Sequence, residues 1–179
     1  MRYLVDARKL DADDRLLDAI AAYEFGLQES DVTLDDYLNC ALIYFALCDF
    51  GLASHLHLTM SQGEKFWNRA NLLLEEAMVK YGDIPEISFW KLYFPYRYIF
   101  SEINTEEVEL IAEKDSSLVS YFYLDGMPGH EDSSEVKELY QRVCDGSTKK
   151  KRYIKSILDS KANLLKLNRD DLPSPSGGS

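Results

Sequence analysis

The stretch Tyr37-Leu38-Asn39-Cys40-Ala41-Leu42-Ile43-Tyr44 decides the fold class, because its aromatic and small residues recur at helical spacing. Four of them fall at offsets i, i+3, i+4 and i+7, on one face of an α-helix: Tyr37, Cys40, Ala41 and Tyr44. A later segment repeats the four offsets: Phe89, Leu92, Tyr93 and Tyr96. This recurrence predicts a protein built from repeated helical units.

Start and stop signals for helices continue along the chain. Thr33 is expected to begin one helix, and Ser61 with Glu64 forms a capping-box pattern for the next. Gly82 is expected to end that helix in a left-handed conformation, with Pro85 preventing its continuation. Pro95 should kink or divide the following helix. Because the chain carries no convincing β-hairpin signal, we predict an all-α fold of antiparallel helical hairpins.

The length of 179 residues is that of one domain with room for a core. We expect a single helical domain over residues 1–171. Two segments stay open, because residues 50–60 fit a loop or a short helix and residues 116–124 fit a helix or an extended piece. Residues 172–179 are rich in Pro, Ser and Gly, so a disordered tail is expected there.

The charge is strongly acidic and unevenly distributed, with a formal net charge of −11. Residues 1–148 hold 12 Lys and Arg against 28 Asp and Glu, whereas residues 149–179 hold 8 against 3. An acidic body repels phosphate, which argues against general nucleic-acid binding. It fits a basic protein partner, although charge of this size also serves solubility alone.

Nothing in the chain resembles a membrane span or an export signal. The most apolar stretch, residues 87–100, is interrupted by Lys91 and Arg97, and Asp6 and Arg8 lie where a signal peptide needs apolar residues. The three cysteines are an odd number without metal-binding spacing. We therefore expect a cytoplasmic protein with reduced thiols and no membrane association.

The repeated helical pattern over residues 3–100 resembles the tetratricopeptide repeat, whose unit of about 34 residues has W-x2-L-G-x2-Y in its first helix. Residues 37–44 match it with Tyr for Trp, Cys for Leu and Ala for Gly. The second helix of the family has the pattern A-x3-F. Ala19 with Tyr23, and again Ala70 with Leu74, resemble this pattern. The interval from Tyr44 to Ala70 exceeds that of the family, so the resemblance implies a long insertion. Residues 104–168 would add further helices, and an irregular helical bundle is the alternative.

The resemblance implies a concave groove, lined by the first helices, that binds extended peptides. Asn39 matches the position where an Asn bonds the backbone of a bound peptide. Its predicted neighbours in the groove lie on the same helix and on the next first helix: Leu38, Leu42, Phe45, Trp90, Lys91, Phe94 and Arg97. The alternative assigns the apolar members to the core, the cations to solvent and Asn39 to a bond within its helix. The clustering of aromatic residues over residues 89–100 and 121–123 favours an exposed patch.

Residues capable of catalysis or metal binding are sparse. His55 and His57 would share a face only on a strand, and no third ligand has a suggestive spacing. Cys48 could pair with either histidine, but nothing marks an orienting group. We predict no metal, no cofactor and no enzymatic activity.

The basic run Lys149-Lys150-Lys151-Arg152 with Lys155 opens a predicted helix. It could contact nucleic acid, dock against the acidic body or be solvated, and docking or solvation is the preferred interpretation.

These observations predict a protein–protein interaction module with an aromatic-lined groove. One version is an adaptor or chaperone that binds a peptide, and the other is an acidic immunity-type inhibitor of a basic toxin. The alternatives are an enzyme with a dispersed helical active site and a nucleic-acid binder that uses the basic run.

Overall fold

The computed structural model describes residues 3–130 and 133–170, with side chains up to residue 162 in the last helix. Within these ranges the chain is helical and contains no strand, which confirms the predicted all-α class. The helices are α1 Tyr3–Ala12, α2 Leu16–Gly26, α3 Leu34–Ala46, α4 Phe50–His55, α5 Met60–Tyr81, α6 Pro85–Tyr98, α7 Thr105–Ala112, α8 Tyr121–Leu124, α9 Ser134–Val143 and α10 Lys149–Asp170. The predicted tail, residues 172–179, lies outside the described residues.

Side-chain caps explain where several helices begin. Thr33 and Asp36 form a capping box at the start of α3, as the sequence predicted for Thr33. The capping box of α5 consists of Thr59 and Gln62, two residues before the predicted pair, so that prediction is corrected. Gly82 has the predicted positive φ, 88°, just after α5.

Consecutive helices pack as hairpins. The first is α1 with α2, and the second is α3 with α5, with the short α4 in the connection between them. This connection accounts for the long interval from Tyr44 to Ala70, and it resolves residues 50–60 as a short helix followed by a turn. Helix α6 contacts both α5 and α7.

Pro95 lies inside α6, which continues from Pro85 to Tyr98. Of the two effects expected of Pro95, a kink or a division of the helix, the division therefore does not occur. Proline removes one backbone hydrogen bond from a helix interior. The preceding residues Tyr93 and Phe94 are buried, and their packing offsets this loss.

A half-buried ion cluster joins the first hairpin to the second. The guanidinium of Arg69 on α5 donates 2.7 Å hydrogen bonds to both carboxylate oxygens of Glu24 on α2. Tyr44 on α3 donates a further bond to Glu24. Burial opposes ionisation of Glu24, but these hydrogen bonds outweigh it and lower its pKa. The cluster thus fixes α2 against α3 and α5.

Aromatic side chains from four helices form the centre of the core. The ring of Phe45 on α3 stacks on that of Phe94 on α6, with centroids 4.3 Å apart. Trp90 is fully buried and contacts Phe122 of α8 and Tyr153 of α10. Since α8 and α10 come from the last third of the chain, the core closes only when they pack on the earlier helices.

Candidate interaction site

Six of the eight residues predicted to line a peptide groove are buried in the described structure: Leu38, Asn39, Leu42, Phe45, Trp90 and Phe94. The expectation that they form an open groove is corrected, because the face they share is covered. Helix α10 packs across α3, and its Tyr153 contacts both Phe45 and Trp90. Burial leaves these side chains little surface to offer a partner in this arrangement.

Asn39 bonds the backbone of the chain itself. Its amide nitrogen donates to the carbonyl oxygen of Asp35 at 2.7 Å, one turn earlier in α3. Its side-chain oxygen accepts from the backbone N–H of Lys150 at 3.0 Å. The resemblance predicted a bond from this residue to a peptide backbone, and the first turn of α10 occupies that place here.

Four residues from three helices hold the first turn of α10, and we call them the α10 cradle: Asp11 on α1, Asp35 and Asn39 on α3, and Glu86 on α6. Asp11 accepts a hydrogen bond from the backbone N–H of Lys149 at 3.0 Å, and its carboxylate forms an ion pair with Arg152 at 2.7 Å. The free N–H groups of a helix start favour acceptors and negative charge. The cradle therefore compensates for the basic residues at this helix end.

The ammonium group of Lys150 lies between Glu86, at 2.9 Å, and Asp35. Burial alone would lower the pKa of Lys150, but the two carboxylates outweigh it and raise that pKa. Burial raises the pKa of Glu86 more than Lys150 lowers it. Lys150 thus stays protonated in the fold.

These contacts show how the cations of the basic run Lys149–Arg152 are partnered in the fold. Lys150 and Arg152 point to carboxylates of the acidic body, which confirms docking for these two residues. Lys151 pairs with the exposed Asp145, and Lys155 pairs with the partly exposed Asp159. The run therefore does not present a continuous set of free cations to a nucleic acid.

Lys91 and Arg97 are the predicted site residues that remain accessible. Lys91 on α6 forms an ion pair with Glu75 on α5 at 2.7 Å. Arg97 lies near the end of α6, where burial disfavours its charge but Tyr93 and Tyr153 outweigh this effect and raise its pKa. Arg97 is thus a permanent cation beside two tyrosines.

Arg97 and Phe45 line one surface cavity of about 500 Å³ between the end of α3, α4 and the end of α6. We call it the aromatic pocket, defined by Phe45, Phe50, Arg97, Tyr98, Phe100 and Tyr153. Phe50 is 88% exposed and Phe100 is 90% exposed, although they come from different segments. Phe100 also has a φ of 54°, in the left-handed region that bulky residues seldom adopt.

Sequence reasoning did not identify Phe50 and Phe100 as site residues. The excess of aromatic residues near the end of α6 indicated an exposed patch, but it did not indicate which rings would be exposed to solvent. That choice depends on where α6 ends and on which face α10 covers.

Cys48, the candidate nucleophile of the sequence, lies in a partly buried position. Burial raises the pKa of the Cys48 thiol to about 12, so this thiol is protonated at neutral pH. Cys48 instead donates to backbone carbonyls, including that of Tyr44 at 3.3 Å. In residues 3–130 and 133–170, no group of three or more His, Cys, Asp or Glu side chains could hold a metal ion.

No helix in the described part of the chain is both long and apolar enough to cross a membrane. Comparisons with models of protein families, with curated proteins and with solved structures gave no match to this chain.

Proposed function

We propose that this chain is a non-enzymatic, cytoplasmic protein-interaction module that binds a basic protein partner through the aromatic pocket. The observation that carries the proposal is the pair Phe50 and Phe100, which are almost fully exposed and line the same cavity. Single exposed apolar residues are common, but two exposed aromatic rings at one concavity are typical of a binding surface.

The composition of the pocket supports a protein ligand. Aromatic residues and Arg are enriched among residues that dominate binding energies at protein interfaces. Arg97 lies at the pocket with Phe50 and Phe100, and its planar guanidinium can donate to a backbone carbonyl of a bound segment. The lining residue Phe45 is held in place by the core, because its ring stacks on that of Phe94.

The charge of the whole chain, rather than that of the pocket lining, favours a basic partner. In the lining Asp49 and Arg97 balance each other, and the exposed Glu64 adds a negative charge near Tyr98. The chain as a whole carries −11, which would steer a cationic protein toward it. The proposed occupant is therefore an apolar side chain of the partner, flanked by Lys or Arg.

The helical hairpins support a tetratricopeptide-like arrangement as part of this proposal. Helices α1 with α2 and α3 with α5 pair as such repeats do, and α6 with α7 would be a third pair. The face that binds peptides in that family corresponds here to the surface covered by α10. The partner would accordingly bind at the end of this surface, where the aromatic pocket remains open.

An adaptor and an inhibitor of a basic toxin would use the same surface chemistry. The activity of the partner distinguishes them: a bound enzyme or toxin that loses its activity indicates an inhibitor, and one that keeps it indicates an adaptor.

The proposal is tested with the double variant Phe50→Ala/Phe100→Ala as bait in lysate of the source organism. Because both rings are exposed, the variant should fold as the wild type does and bind at least about tenfold more weakly. The matched control is Met60→Ala/Val79→Ala, which removes two equally exposed apolar side chains outside the pocket. Affinity for the captured partner is then measured by calorimetry at two salt concentrations.

A basic protein retained by the wild type and the control, but lost by the pocket variant, supports the proposal. Its affinity should fall as the salt concentration rises. Equal retention by all three chains would show that the pocket is not the binding site, and an acidic partner would contradict the charge argument.

A further inference from the structure

The short helix α4 has no buried residue, although it lies in the connection between α3 and α5. Every other helix of the described chain buries at least two of its residues. The apolar ties of α4 and the turn after it are Leu52, Leu56 and Leu58, which are half-buried and pack against the core. Phe50, the first residue of α4, is 88% exposed. Helix α4 is therefore held less firmly than the helices around it.

The hydrogen bonds of α4 are all local. The side chain of Asp49 accepts the N–H of Leu52 at 3.1 Å, and the N–H of Leu58 donates to the carbonyl oxygen of Ala53 at 2.8 Å. Among the residues that the structure describes, no hydrogen bond, ion pair or ring contact joins residues 50–58 to another helix. A movement of α4 as a unit therefore breaks no polar contact with the rest of the fold.

Two separate cavities border α4. One is the aromatic pocket, to which this helix contributes Phe50 and Leu52. The other has a volume of about 390 Å³, reaches the start of α2, and takes Leu52, His55 and Leu56 from α4. Leu52 is the residue that the two linings share. Because open space rather than a packed neighbour adjoins both parts of its surface, α4 has room to shift.

The residue that follows the last turn of α4 has an unfavourable backbone conformation. His57 has a φ of 56°, in the left-handed region that residues other than glycine seldom adopt. Hinges of moving segments are a few residues at the ends of elements that absorb a large change of φ and ψ. His57 lies at such a position, between α4 and the start of α5, and a change of its φ would reorient α4.

We propose that α4 is a lid of the aromatic pocket, which turns about His57 and carries Phe50 over an apolar side chain of the bound partner. The bound group is the one that the proposed function assigns, so the inference rests on that function. Phe50 and Phe100 expose apolar area to water in the structure. When the pocket is filled, closure removes this area and the bound side chain from water together, which favours the closed state. An empty pocket offers no such gain, so α4 stays open.

The first test is hydrogen exchange in the free protein, followed at single amides by NMR. The amides of Ala53, Leu56 and Leu58 donate within α4 and its N-terminal and C-terminal turns. After correction for intrinsic rates, they should exchange at least about a hundredfold faster than amides in the middle of α3 and α5, because α4 opens without global unfolding. Equal protection of these helices would overturn the proposal, since α4 would then open only with the whole protein.

The substitution Leu56→Ala loosens the lid without changing the lining of the aromatic pocket, because Leu56 borders only the second cavity. It should speed exchange at Ala53 by at least about fivefold and leave the amides of α3 unchanged. Leu34→Ala, which truncates another half-buried leucine at the start of α3, is the matched control and should not speed exchange at Ala53. Equal effects of the two substitutions would show that α4 does not open independently.

The second test measures the movement itself with spin labels on the exposed residues Ser54 of α4 and Glu102 after α6, each replaced by Cys. The exposed Cys144 is replaced by Ser, whereas the Cys48 thiol, with a pKa of about 12, does not compete for the label. In the free protein the distances between the labels should be broadly distributed, and binding of the captured partner should shorten and narrow them. The control pair Asn68→Cys/Glu102→Cys, with one label on α5, should not change.

The outcomes separate the lid from the proposed function. A partner that Phe50→Ala/Phe100→Ala loses, but whose binding leaves the distance from Ser54 to Glu102 unchanged, overturns the lid and keeps the proposed function. A partner that this variant retains overturns the proposed function, while hydrogen exchange in the free protein still decides whether α4 moves. A distance that shortens equally in the control pair would indicate a movement of α6 and would also overturn the lid.

Discussion

At the scale of single residues, Asn39 shows how one side chain serves two levels of structure. Its amide nitrogen stabilises α3 locally through Asp35, and its oxygen accepts the N–H of Lys150 more than a hundred residues later. A buried N–H without an acceptor costs more than the hydrogen bond itself contributes. Asn39 is therefore a structural residue, although the sequence pattern suggested a contact to a partner.

Asn39→Ala should lower the free energy of unfolding by about 1–3 kcal/mol, because it removes the acceptor for the first turn of α10. The measurement is urea-induced unfolding followed by circular dichroism. Asn71→Ala is the matched control, since Asn71 makes the same type of bond to the carbonyl oxygen one turn earlier, at Trp67. The control should change stability by less than about 0.5 kcal/mol. Equal effects of the two substitutions would contradict the tertiary role of Asn39.

At the scale of helices, the close packing of α1 on α2 depends on Gly26. A Cβ atom built at this position would lie 2.7 Å from a side-chain carbon of Leu4 and 3.0 Å from its backbone nitrogen. Glycine inside a helix normally costs stability relative to alanine. Here the absence of a Cβ lets the two helices approach, and since the end of α2 meets the start of α1, the hairpin is antiparallel.

Gly26→Ala should destabilise the protein by about 1–3 kcal/mol, because the added carbon meets a backbone atom that cannot move aside alone. Gly63→Ala is the control. Gly63 lies within α5 and has no heavy atom within 4 Å of an added Cβ, so this substitution should stabilise by up to about 1 kcal/mol. Thermal unfolding of both variants provides the comparison. A stabilising effect of Gly26→Ala would show that α1 and α2 can move apart without a loss of stability.

At the scale of the whole molecule, the last helix closes the structure. Helix α10 adds Ile154 and Leu158 to the core, and its first turn rests in the α10 cradle formed by α1, α3 and α6. Lys161 also donates to carbonyl oxygens at the end of α8, including that of Phe122 at 2.9 Å. Segments at both ends of the described chain therefore depend on each other.

Lys150→Ala should destabilise the fold by about 3 kcal/mol, because it leaves Glu86 buried without its cation. Lys151→Ala removes the neighbouring, exposed pair with Asp145 and should cost less than about 1 kcal/mol. Both values are measured by guanidinium-induced unfolding at neutral pH. A cost for Lys151→Ala equal to that of Lys150→Ala would contradict the assigned burial.

The loss of unfolding free energy caused by Lys150→Ala should also depend on pH. Burial already raises the pKa of Glu86 and Lys150 opposes that rise, so removing Lys150 raises the pKa further. A carboxyl group whose pKa is higher in the folded state binds a proton preferentially there, and folding gains as the pH falls through that value. The difference between the variant and the wild type should therefore shrink on acidification.

The sequence by itself determined the elements that depend on local interactions. Helical periodicity, the Thr33 cap and the turn at Gly82 arise from residues within about one helical turn of each other, so the all-α class could be predicted. The local sequence left open whether Pro95 would kink or divide its helix, and α6 continues through it because burial against other helices offsets the local loss.

Only the tertiary structure decided which helical faces meet solvent. The same spacing that suggested an open groove at Leu38, Leu42 and Trp90 is found in a core helix, and the choice depends on α10. Phe50 and Phe100, which lie outside the buried aromatic cluster, are the most exposed aromatic residues of the described chain. Helical spacing specifies that a face is apolar, but only contacts between residues distant in the sequence specify what covers it.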